Sequence, residues 1–407
     1  MAVLKNKTLL FIHQNFPGQF LHLCKELRHN NRLHFISKPN GNRIPGVTVH
    51  PYQLNRQPAR DSHTYLRTVE DNVLHGQAVA RILLKLRRDG ITPDLIIGHS
   101  GWGETLFVKD IFPDVPLLSY FEFYFHTFGA DVNFDPEFPS DPDTAFRLRV
   151  RNQLTLSCLE ATDEGLAPTW WQYSQLPKPF QSKINVIHEG VDTTLLVPKQ
   201  DATVSLPGGL TLSASSKVVT YVARNLEPYR GFHIFMRSIE KICSENPDAH
   251  IVIVGGDGVS YGSKLPDGQS HKIIEISKYD FDLSKVHFMG RVSYEIFKSI
   301  LQISSAHVYL TYPFVLSWSM LEAMATECLV IGSATPPVEE VITDGDNGIL
   351  VNFFDYKAIA DRVSEALRQP ESFHPIRRRA RQTVVDHYDL RRVCLPRQKA
   401  LLKSMIK

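Results

Sequence analysis

The sequence lacks an excess of charge of either sign. Its 407 residues include 45 Lys and Arg against 43 Asp and Glu, which gives a formal net charge of +2. A protein that binds a nucleic-acid backbone usually carries a strongly positive field, so the near-balance argues against nucleic acid as a partner. The composition, 43% hydrophobic and 22% charged, is that of a globular protein long enough for two domains.

Cysteine is also scarce. The five cysteines are scattered and include no CxxC pair: Cys24, Cys158, Cys243, Cys328 and Cys394. This pattern argues against a disulfide framework and against a zinc site, and the 17 histidines contain no HExxH motif. We therefore expect a reducing compartment, the cytoplasm, and neither a metal nor another cofactor.

No apolar run approaches the roughly 20 residues that a membrane-spanning helix needs. Residues 3–12 resemble the start of a signal peptide, but the polar residues 13–15 end the run early and no small-residue cleavage site follows. We interpret this segment as a first strand. Any membrane contact is then expected to be peripheral, at the inner face of the membrane.

Short β-branched or Leu-rich runs alternate with longer amphipathic segments along most of the chain. This alternation is typical of βαβ units built around buried parallel sheets. In the first half, the predicted strands are 8–12, 33–36, 94–98 and 116–120, and the predicted helices are 18–28, 65–88, 103–112 and 144–160. In the second half, the predicted strands are 217–222, 249–255, 306–311 and 328–332, and the predicted helices are 231–245, 294–303 and 318–326.

The alternation stops at residues 197–216, which are rich in Pro, Gly, Ser, Thr and Lys. We therefore predict an α/β protein with an N-terminal Rossmann-like domain over 1–196 and a linker or excursion over 197–216. A second Rossmann-like domain is predicted over 217–387, and 388–407 is predicted to be a helix that could return to the first domain.

Three turns leave predicted strands and could approach a ligand closely. Gly18 follows the first strand, Gly256 follows the strand at 249–255, and Arg224 and Arg230 flank the turn after the strand at 217–222. Glycine admits a ligand to the backbone, and two guanidinium groups beside a helix start suit a diphosphate. The alternatives are ordinary turns and solvated arginines.

The stretch 309–325 contains a candidate nucleotide site. Pro313 breaks a strand, and Ser317 or Ser319 can cap the helix that follows, which leaves free amides at its start. Glu322 lies in this apolar helix, where a carboxylate needs hydrogen-bond donors such as the two ribose hydroxyls. A capping-box or salt-bridged glutamate is the alternative.

The order and spacing of these segments resemble the family 4 glycosyltransferases, retaining enzymes of the GT-B fold with two facing Rossmann-like domains. The resemblance extends along most of the chain. It includes Gly18, His188-Glu189-Gly190-Val191-Asp192, Ala223-Arg224 to Arg230-Gly231, Val286 to Gly290, Leu321 to Ala325, and Pro337 to Val341 before Asn347-Gly348.

The resemblance implies roles for the donor-binding residues. Arg224 and Arg230 would hold the donor diphosphate and act in catalysis, with Arg230 replacing a more usual lysine, and Glu322 would bind the ribose. Gly18 would let the donor or the acceptor approach the N-terminal domain. The implied donor site comprises Gly18, Arg224, Arg230, Gly256, Ser317, Trp318, Ser319 and Glu322.

An aromatic run at 120–126 follows a predicted strand of the first half and is a candidate acceptor site. By the resemblance, His126 could approach the reacting sugar as a catalytic residue, and Glu122 could hold acceptor hydroxyls. A role in an aromatic core is the alternative for both residues, because aromatic side chains stack on sugars and also build cores.

One residue departs from the family pattern. The family usually carries two glutamates eight positions apart, and eight positions before Glu322 this sequence has Phe314. The first glutamate commonly faces the donor sugar, so the sugar contacts here must differ. A nucleotide-sugar epimerase and a catalytically silent sugar-nucleotide-binding or scaffold protein remain alternatives to the transferase.

Two further motifs have a simple structural interpretation. Asp141-Pro142-Asp143 matches the Asp-x-Asp motif of metal-dependent sugar transfer. However, Pro142 is typical of the first position of a helix, and Asp141 is typical of the residue that caps it. The basic stretch at 377–381 is interpreted as a solvated helix face, with attraction to an anionic membrane or an acidic acceptor as the alternative.

The sequence therefore predicts a metal-independent, hexosyltransferase-like enzyme of polysaccharide or glycoconjugate assembly. It would move a sugar, with retention, from a UDP- or GDP-linked donor to a glycan, lipid-linked or small-molecule acceptor. The biosynthetic setting rests on family analogy alone.

Overall fold

The computed structural model describes residues 4–279, 282 and 284–406, and the chain divides into two compact units. The first unit comprises the residues up to Gly190 together with those from Arg391 onward. The second unit is Val191–Leu390. The chain therefore leaves the first unit after Gly190 and returns to it after Leu390.

Within the described part of the first unit, seven parallel strands form one sheet in the order β3-β2-β1-β4-β5-β6-β7. The strands are β1 (Thr8–Asn15), β2 (Arg32–Lys38), β3 (Val47–Pro51), β4 (Leu95–His99), β5 (Leu117–Tyr120), β6 (Glu164–Ala167) and β7 (Ile184–Val186). The helices are α1 (Leu21–Leu27), α2 (Arg67–Arg88), α3 (Val108–Ile111), α4 (Thr144–Ala161), α5 (Trp170–Gln175) and, from the end of the chain, α13 (Leu395–Met405).

The strand order of this sheet creates a ligand-binding edge. The chain builds β1, β2 and β3 outward in one direction and then places β4 on the other side of β1. The central strand β1 is buried from Thr8 to His13, as expected for a strand covered on both faces. Open α/β sheets bind ligands at the carboxyl ends of the strands where the order reverses, which here is the end of β1 and β4.

The second unit repeats this arrangement. Among its described residues, six parallel strands form a sheet in the order β12-β11-β10-β13-β14-β15. The strands are β10 (Val218–Asn225), β11 (His250–Gly256), β12 (Val286–Gly290), β13 (Ala306–Tyr309), β14 (Val330–Ser333) and β15 (Ile349–Val351). The helices are α6 (Phe232–Glu245), α7 (His271–Ile276), α8 (Tyr294–Gln302), α9 (Trp318–Ala325), α10 (Pro336–Glu339), α11 (Tyr356–Arg368) and α12 (His374–His387). Its order reverses between β10 and β13.

The segment predicted as a linker or excursion, 197–216, lies inside the second unit. It contains an antiparallel hairpin of β8 (Thr203–Ser205) and β9 (Thr211–Ser213). Val204 and Leu212 are buried against α8 and β11. Alternate apolar residues thus anchor a segment whose Pro-Gly-Gly turn suggested a linker.

The predicted helices and strands differ from the structure in several places, and two of these have a clear physical reason. The helix predicted over 103–112 is reduced to Val108–Ile111, because Gly103 has a φ of +100° and a Cβ there would lie 2.1 Å from the Asn72 carbonyl oxygen. The edge strand β3 was not predicted, since its exposed or half-exposed residues show no buried run.

The basic stretch on α12 mainly serves the fold. Arg377, Arg379 and Arg381 each donate hydrogen bonds to backbone carbonyl oxygens, while Arg378 is exposed. Among the described residues, no helix is both long and apolar enough to cross a bilayer.

Candidate functional site

The second unit presents two arginines at the carboxyl edge of its sheet. Arg224 is exposed near the end of β10, and no hydrogen bond or ion pair of its side chain is found within the described residues. Arg291 follows the end of β12 and donates from Nη2 to Asn225 Oδ1 at 3.2 Å. The Arg291 guanidinium therefore lies beside Asn225, and the exposed Arg224 precedes Asn225 in β10. Guanidinium groups at this edge can donate charge-assisted hydrogen bonds to a diphosphate.

Gly256 makes room for the second of these arginines. A Cβ at this position would lie 2.7 Å from Arg291 Nε and 2.7 Å from Asn225 Oδ1. The sequence predicts close approach of a ligand at Gly256, and the structure adds close approach of the Arg291 side chain. Arg291 is not among the site residues predicted from the sequence. Its position directly after a strand that ends at Gly290 could have identified it as a candidate, because ligands bind at the ends of such strands.

A buried carboxylate fixes the loop that follows β11. Glu227 is fully buried and accepts hydrogen bonds from the backbone N–H groups of Ser260, Tyr261 and Gly262, each at 3.0 Å. Asn225 Nδ2 also donates to Ser260 Oγ at 2.7 Å. Because both residues belong to the end of β10 or its turn, the β10 and β11 loops are held together.

Arg230 is turned into the protein. Its side chain is buried, and Nη1 donates to Thr311 Oγ1 at 2.7 Å, to the Val315 carbonyl at 2.8 Å and to Tyr309 Oη at 3.4 Å. The guanidinium thus joins the β10 turn to the β13 loop. Its predicted diphosphate-binding and catalytic role stays a prediction, and the structure gives it a supporting role in addition.

Phe314 belongs to an aromatic cluster in the same loops. Its ring centre lies 5.1 Å from that of Tyr261 and 5.5 Å from that of Tyr229, and Tyr229 also packs on Tyr312 at 4.7 Å. Only 6% of Phe314 is exposed. The position where the family usually has a glutamate is therefore filled by an aromatic side chain packed on other aromatic side chains.

The start of α9 holds the remaining predicted donor residues. Glu322 is half-buried and accepts a hydrogen bond from Tyr294 Oη at 2.8 Å. Burial raises the pKa of the Glu322 carboxyl, and the hydrogen bond from Tyr294 partly opposes this. Ser317 uses its backbone N–H to bind Tyr309 Oη at 2.8 Å, and its Oγ lies 3.0 Å from Ser319 Oγ.

These contacts narrow the prediction that the backbone amides at the start of α9 bind the donor phosphates. The Ser317 amide already has an internal acceptor, so the amides of Trp318 and Ser319 are the better candidates for a phosphate. Trp318 is 46% exposed, whereas Ser319 is buried. The structure brings Glu322 and Ser319 onto one short helix, as expected.

The first unit has a cluster of buried polar and aromatic side chains at the ends of β1 and β4. His13 Nδ1 accepts the Asn15 N–H at 2.8 Å, so Nε2 carries the proton and donates to Gln19 Oε1 at 2.7 Å. Burial and the neighbouring His99 lower the pKa of His13 to about 3. A Cβ at Gly18 would lie 2.6 Å from the His13 ring, so the glycine is needed for this packing whether or not a ligand approaches it.

His99, at the end of β4, was missed by the sequence analysis. Its Nδ1 accepts the Gly101 N–H at 3.0 Å, and its ring stacks on Trp102 at 4.2 Å and on Tyr120 at 5.2 Å. Its Nε2 is buried, has no hydrogen-bond partner among the residues that the structure describes, and lies 3.7 Å from Glu122 Oε2.

A buried cluster joins the loop after β4 to α2 and to the residue that follows β3. Tyr52 Oη donates to Glu104 Oε1 at 2.6 Å and lies 2.8 Å from His75 Nδ1, which therefore donates to it. Burial, and then the neighbouring Glu104, raise the pKa of Tyr52. The other carboxylate oxygen, Glu104 Oε2, is buried and has no hydrogen-bond partner in the described part of the chain.

The predicted acceptor residues Glu122 and His126 have different surroundings. His126 Nε2 donates to the Gln175 carbonyl at 2.8 Å, so this imidazole is anchored to the last residue of α5. Glu122 instead lies beside His99. The catalytic role predicted for His126 stays a prediction.

The Asp-x-Asp motif directly precedes α4, but the helix begins at Thr144 with Asp143 at the N-cap position, so the prediction that Pro142 starts the helix and Asp141 caps it is wrong in detail. Asp141 accepts from Arg147 Nη2 at 2.6 Å, and the side-chain hydrogen bond from Arg147 lowers the pKa of Asp141. The side chain therefore binds the first turn of the helix.

Comparison with known proteins agrees with this architecture. Residues 29–196 match the model of the glycosyl transferase family 4 group, and residues 210–383 match that of the glycosyl transferases group 1. Together the two matches cover most of the chain. The chain belongs to the family 4 glycosyltransferases.

Curated relatives of this glycosyltransferase are distant. A D-inositol 3-phosphate glycosyltransferase of Corynebacterium efficiens is 24% identical over 74% of this chain and 68% of the relative. The enzyme of the same name from Mycolicibacterium smegmatis is 28% identical over 49% of this chain and 43% of the relative. An N-acetyl-alpha-D-glucosaminyl L-malate synthase of Bacillus anthracis is 25% identical over 53% of this chain and 52% of the relative. The matches thus span roughly half to two thirds of these proteins.

Solved structures share the fold of this glycosyltransferase over nearly its whole length. Sucrose-phosphate synthase from Thermosynechococcus elongatus has a TM-score of 0.74 at 15% identity, covering 98% of this chain and 99% of that one. Anabaena HepE, in complex with UDP-glucose, has a TM-score of 0.67 at 15% identity, covering 98% and 100%. The predicted GT-B fold and transferase class are confirmed, and the family match favours a transferase over an epimerase.

Proposed function

We propose that this glycosyltransferase takes its sugar from a UDP- or GDP-linked donor bound at the carboxyl edge of the second unit's sheet. The observation that supports this most is the Arg291 guanidinium beside Asn225 and Gly256, with the exposed Arg224 just before Asn225 at the end of β10. A diphosphate carries the complementary charge, and guanidinium groups bind its oxygens in a fork geometry. HepE shares the fold and has been solved with UDP-glucose, so UDP-glucose is the first donor to test.

The transfer requires stabilisation of the leaving group. The bond between the anomeric carbon and the donor's phosphate oxygen breaks, and the electron pair leaves with the nucleoside diphosphate. The acceptor hydroxyl oxygen forms the new bond to the anomeric carbon, and its proton passes to the leaving phosphate oxygen. Arg224 and Arg291 would stabilise the charge that develops there, and Glu322 would hold the ribose.

Several finer points belong to the same proposal. The stereochemistry is retention, the charge on the diphosphate is met by arginines instead of a metal, and the setting is polysaccharide or glycoconjugate assembly. The acceptor is a glycan, a lipid-linked sugar or a small molecule. A cytoplasmic location is supported by the five free cysteines. Peripheral membrane contact has less support, because most arginines of α12 bind carbonyl groups.

Calorimetric titration with UDP-, GDP-, ADP- and dTDP-sugars tests the donor site. One nucleotide series should bind the wild type, and Arg224→Ala and Arg291→Ala should each weaken its binding by about tenfold or more, since each removes a charge-assisted interaction. Arg378→Ala, an exposed arginine on α12 of the same unit, is the matched control and should change the Kd by less than about twofold. Equal affinity in all four proteins, or no binding of any donor to the wild type, would refute the proposal.

A catalytically silent relative is a second candidate, and the aromatic cluster around Phe314 favours it. Tight donor binding that depends on Arg224, together with no transfer and no hydrolysis of the bound donor, would support this candidate. Release of free UDP or GDP from the bound donor, followed by NMR, would exclude it.

A further inference from the structure

The outer face of α2 carries apolar side chains that the core of the first unit does not use. The inner face of this helix, with Val79 and Leu83, packs on the central strands of the sheet. On the outer face, Leu66 at the N-cap, Val73 and Leu84 are each at least 40% exposed. They are spaced by seven and eleven residues, close to two and three helical turns, so they lie in one line. We call this line the apolar stripe of α2.

Exposed cations flank the apolar stripe. Arg81, Lys85 and Arg88 lie three or four residues apart on one side of it, and Arg87 lies on the other side. Arg67 adds a fifth exposed cation in the first turn. A line of apolar side chains between cations is typical of a helix that lies in a membrane interface.

The five cations keep their charge available. Three of them donate only to uncharged oxygens, either backbone carbonyls or a side-chain amide. The other two, Lys85 and Arg88, form no side-chain hydrogen bond or ion pair within the described residues. The outer face of α2 can therefore bind a negatively charged partner without first breaking an internal ion pair.

The acidic residues of α2 do not offset these cations. Glu70 forms an ion pair with Arg56 on the preceding loop. Asp71 is half-exposed and lies beside His75, on the side of the helix away from the stripe. Asp89, at the C-cap, is exposed. The stripe thus has an excess of positive charge along its length.

Exposed apolar surface continues from α2 onto α4, which packs beside it. Phe146 of α4 is 58% exposed, and its ring centre lies 6.4 Å from that of Tyr65, the residue before Leu66. The apolar surface therefore spans two neighbouring helices, as contact with a flat bilayer requires.

The combination of charge and apolar surface selects the partner. An anionic bilayer offers headgroups to the cations and, just beneath them, an acyl boundary to the aliphatic side chains. A nucleic acid offers the charge but no aliphatic layer for the stripe.

We propose that α2 lies in the interface of an anionic lipid bilayer, with its apolar stripe toward the acyl chains and its flanking cations on the headgroups. This surface is distinct from the basic stretch of α12, where most arginines bind carbonyl groups. The proposal concerns the first unit alone and does not depend on where the donor binds.

Cosedimentation of the full chain with lipid vesicles tests the proposal. Vesicles of phosphatidylcholine alone are compared with vesicles of equal parts phosphatidylcholine and phosphatidylglycerol. The chain should bind the anionic vesicles at least about tenfold more strongly. Raising the salt from about 0.1 M to about 1 M should weaken this binding at least about tenfold, because it shortens the Debye length. No binding to anionic vesicles, or equal binding to both kinds, overturns the proposal.

A double variant tests the contribution of charge. Arg81→Gln with Lys85→Gln removes two cations beside the stripe. Each cation near an anionic surface contributes about fivefold to binding, so the binding should fall at least about tenfold.

The matched control removes two exposed cations from the other face of the sheet. Leu10 of β1 packs on the α2 side, whereas Phe11 packs on Phe20, which directly precedes α1. Lys25→Gln on α1 with Lys403→Gln on α13 should therefore leave vesicle binding within about twofold. An equal loss in both double variants would reflect net charge alone and would overturn the proposal.

A second double variant tests insertion of the stripe. Val73→Ser with Leu84→Ser keeps every cation and should weaken binding to anionic vesicles at least about fivefold. Both positions are exposed, so the urea midpoint should stay near that of the wild type, which separates lost insertion from lost folding. Unchanged vesicle binding would make α2 a general polyanion-binding face and overturn the proposal. Loss of binding in Arg378→Ala, with the α2 variants unaffected, would move the contact to α12 and overturn it as well.

Discussion

The guanidinium carbon of Arg230 lies 5.3 Å from the centre of the Tyr261 ring, close enough for a cation–π interaction. Arg230 belongs to the turn after β10, whereas Tyr261 belongs to the loop after β11. The same guanidinium binds Thr311 and the Val315 carbonyl on the loop after β13. One buried cation therefore connects three loops at the edge where we propose that the donor binds.

This connection predicts a loss of stability when Arg230 is replaced. Arg230→Lys introduces the residue more usual in the family, but an ammonium group lacks the planar fork that reaches several acceptors at once. We expect the free energy of unfolding to fall by about 2–3 kcal/mol, because buried acceptors lose charged donors. Urea denaturation checks this, and a midpoint equal to that of the wild type would contradict it.

Glu227→Gln should loosen the loop after β11. The carboxylate accepts three backbone N–H groups, whereas the amide has one oxygen and turns an NH2 group toward donors. The expected loss of stability is about 1–3 kcal/mol. Hydrogen exchange at Ser260, Tyr261 and Gly262 should become faster by at least about tenfold. The exposed Glu240→Gln on α6 serves as control, and equal exchange in both variants would count against the assignment.

The buried histidines predict that stability falls as the pH decreases below about 6.5. Burial lowers the pKa of His13 to about 3 and that of His307 to about 4. Below pH 6.5 the unfolded chain binds protons at these positions and the folded chain does not, so acid favours unfolding. For each histidine, the free energy of unfolding should fall by about 2 kcal/mol between pH 7.5 and pH 5.

Denaturation curves at the two pH values measure this effect. In His13→Gln, the difference between pH 7.5 and pH 5 should shrink by about 2 kcal/mol, whatever the variant does to stability at pH 7.5. A pH dependence identical to that of the wild type would show that His13 is not neutral in the folded protein at pH 5.

Phe314→Glu restores the family's pair of glutamates and should destabilise the protein. The new carboxylate would lose water among the rings of Tyr229 and Tyr261, and we expect a loss of about 1–3 kcal/mol. Phe314→Leu, which stays apolar, isolates the packing contribution. Thermal denaturation of both variants checks this, and a glutamate variant as stable as the leucine variant would indicate a polar environment.

The arginines of α12 allow a matched comparison. Arg381 binds the carbonyl groups of Thr193, Leu196 and Ala325, so Arg381→Ala should lower the free energy of unfolding by about 2 kcal/mol. The exposed Arg378→Ala should change it by less than about 0.5 kcal/mol. Equal stability of the two variants would refute the structural role of Arg381. A separate test is sedimentation of the protein with anionic vesicles. If Arg378→Ala reduces this sedimentation, the interpretation of the basic stretch as a membrane-binding surface gains support.

The sequence was a good guide to the strands and to the edges where ligands bind. Central strands such as β1 and β11 are buried on both faces, and they therefore appear as continuous apolar runs. Because parallel strands present their carboxyl ends at one edge, the turns that follow them were sound candidates. The short α3 was overestimated because the conformation of Gly103 depends on packing against Asn72, a contact between distant residues.

The direction of side chains at the site could not be predicted in the same way. Arg224 and Arg230 lie six residues apart on one turn, yet one is exposed and the other is buried against residues about 80 positions away. Likewise, Glu122 was grouped with His126 by their spacing, whereas its neighbour in the structure is His99. Such pairings depend on tertiary contacts, which spacing does not encode.

The return of the chain to the first unit after Leu390 affects how that unit is made on the ribosome. Leu402 of α13 is fully buried, and Gln398 binds the His188 carbonyl at 2.9 Å. All of Val191–Leu390 is synthesised before α13, so the second unit can finish folding first. The first unit instead waits about 200 residues for its last helix, and the apolar surface that Leu402 covers stays open to chaperones during that time.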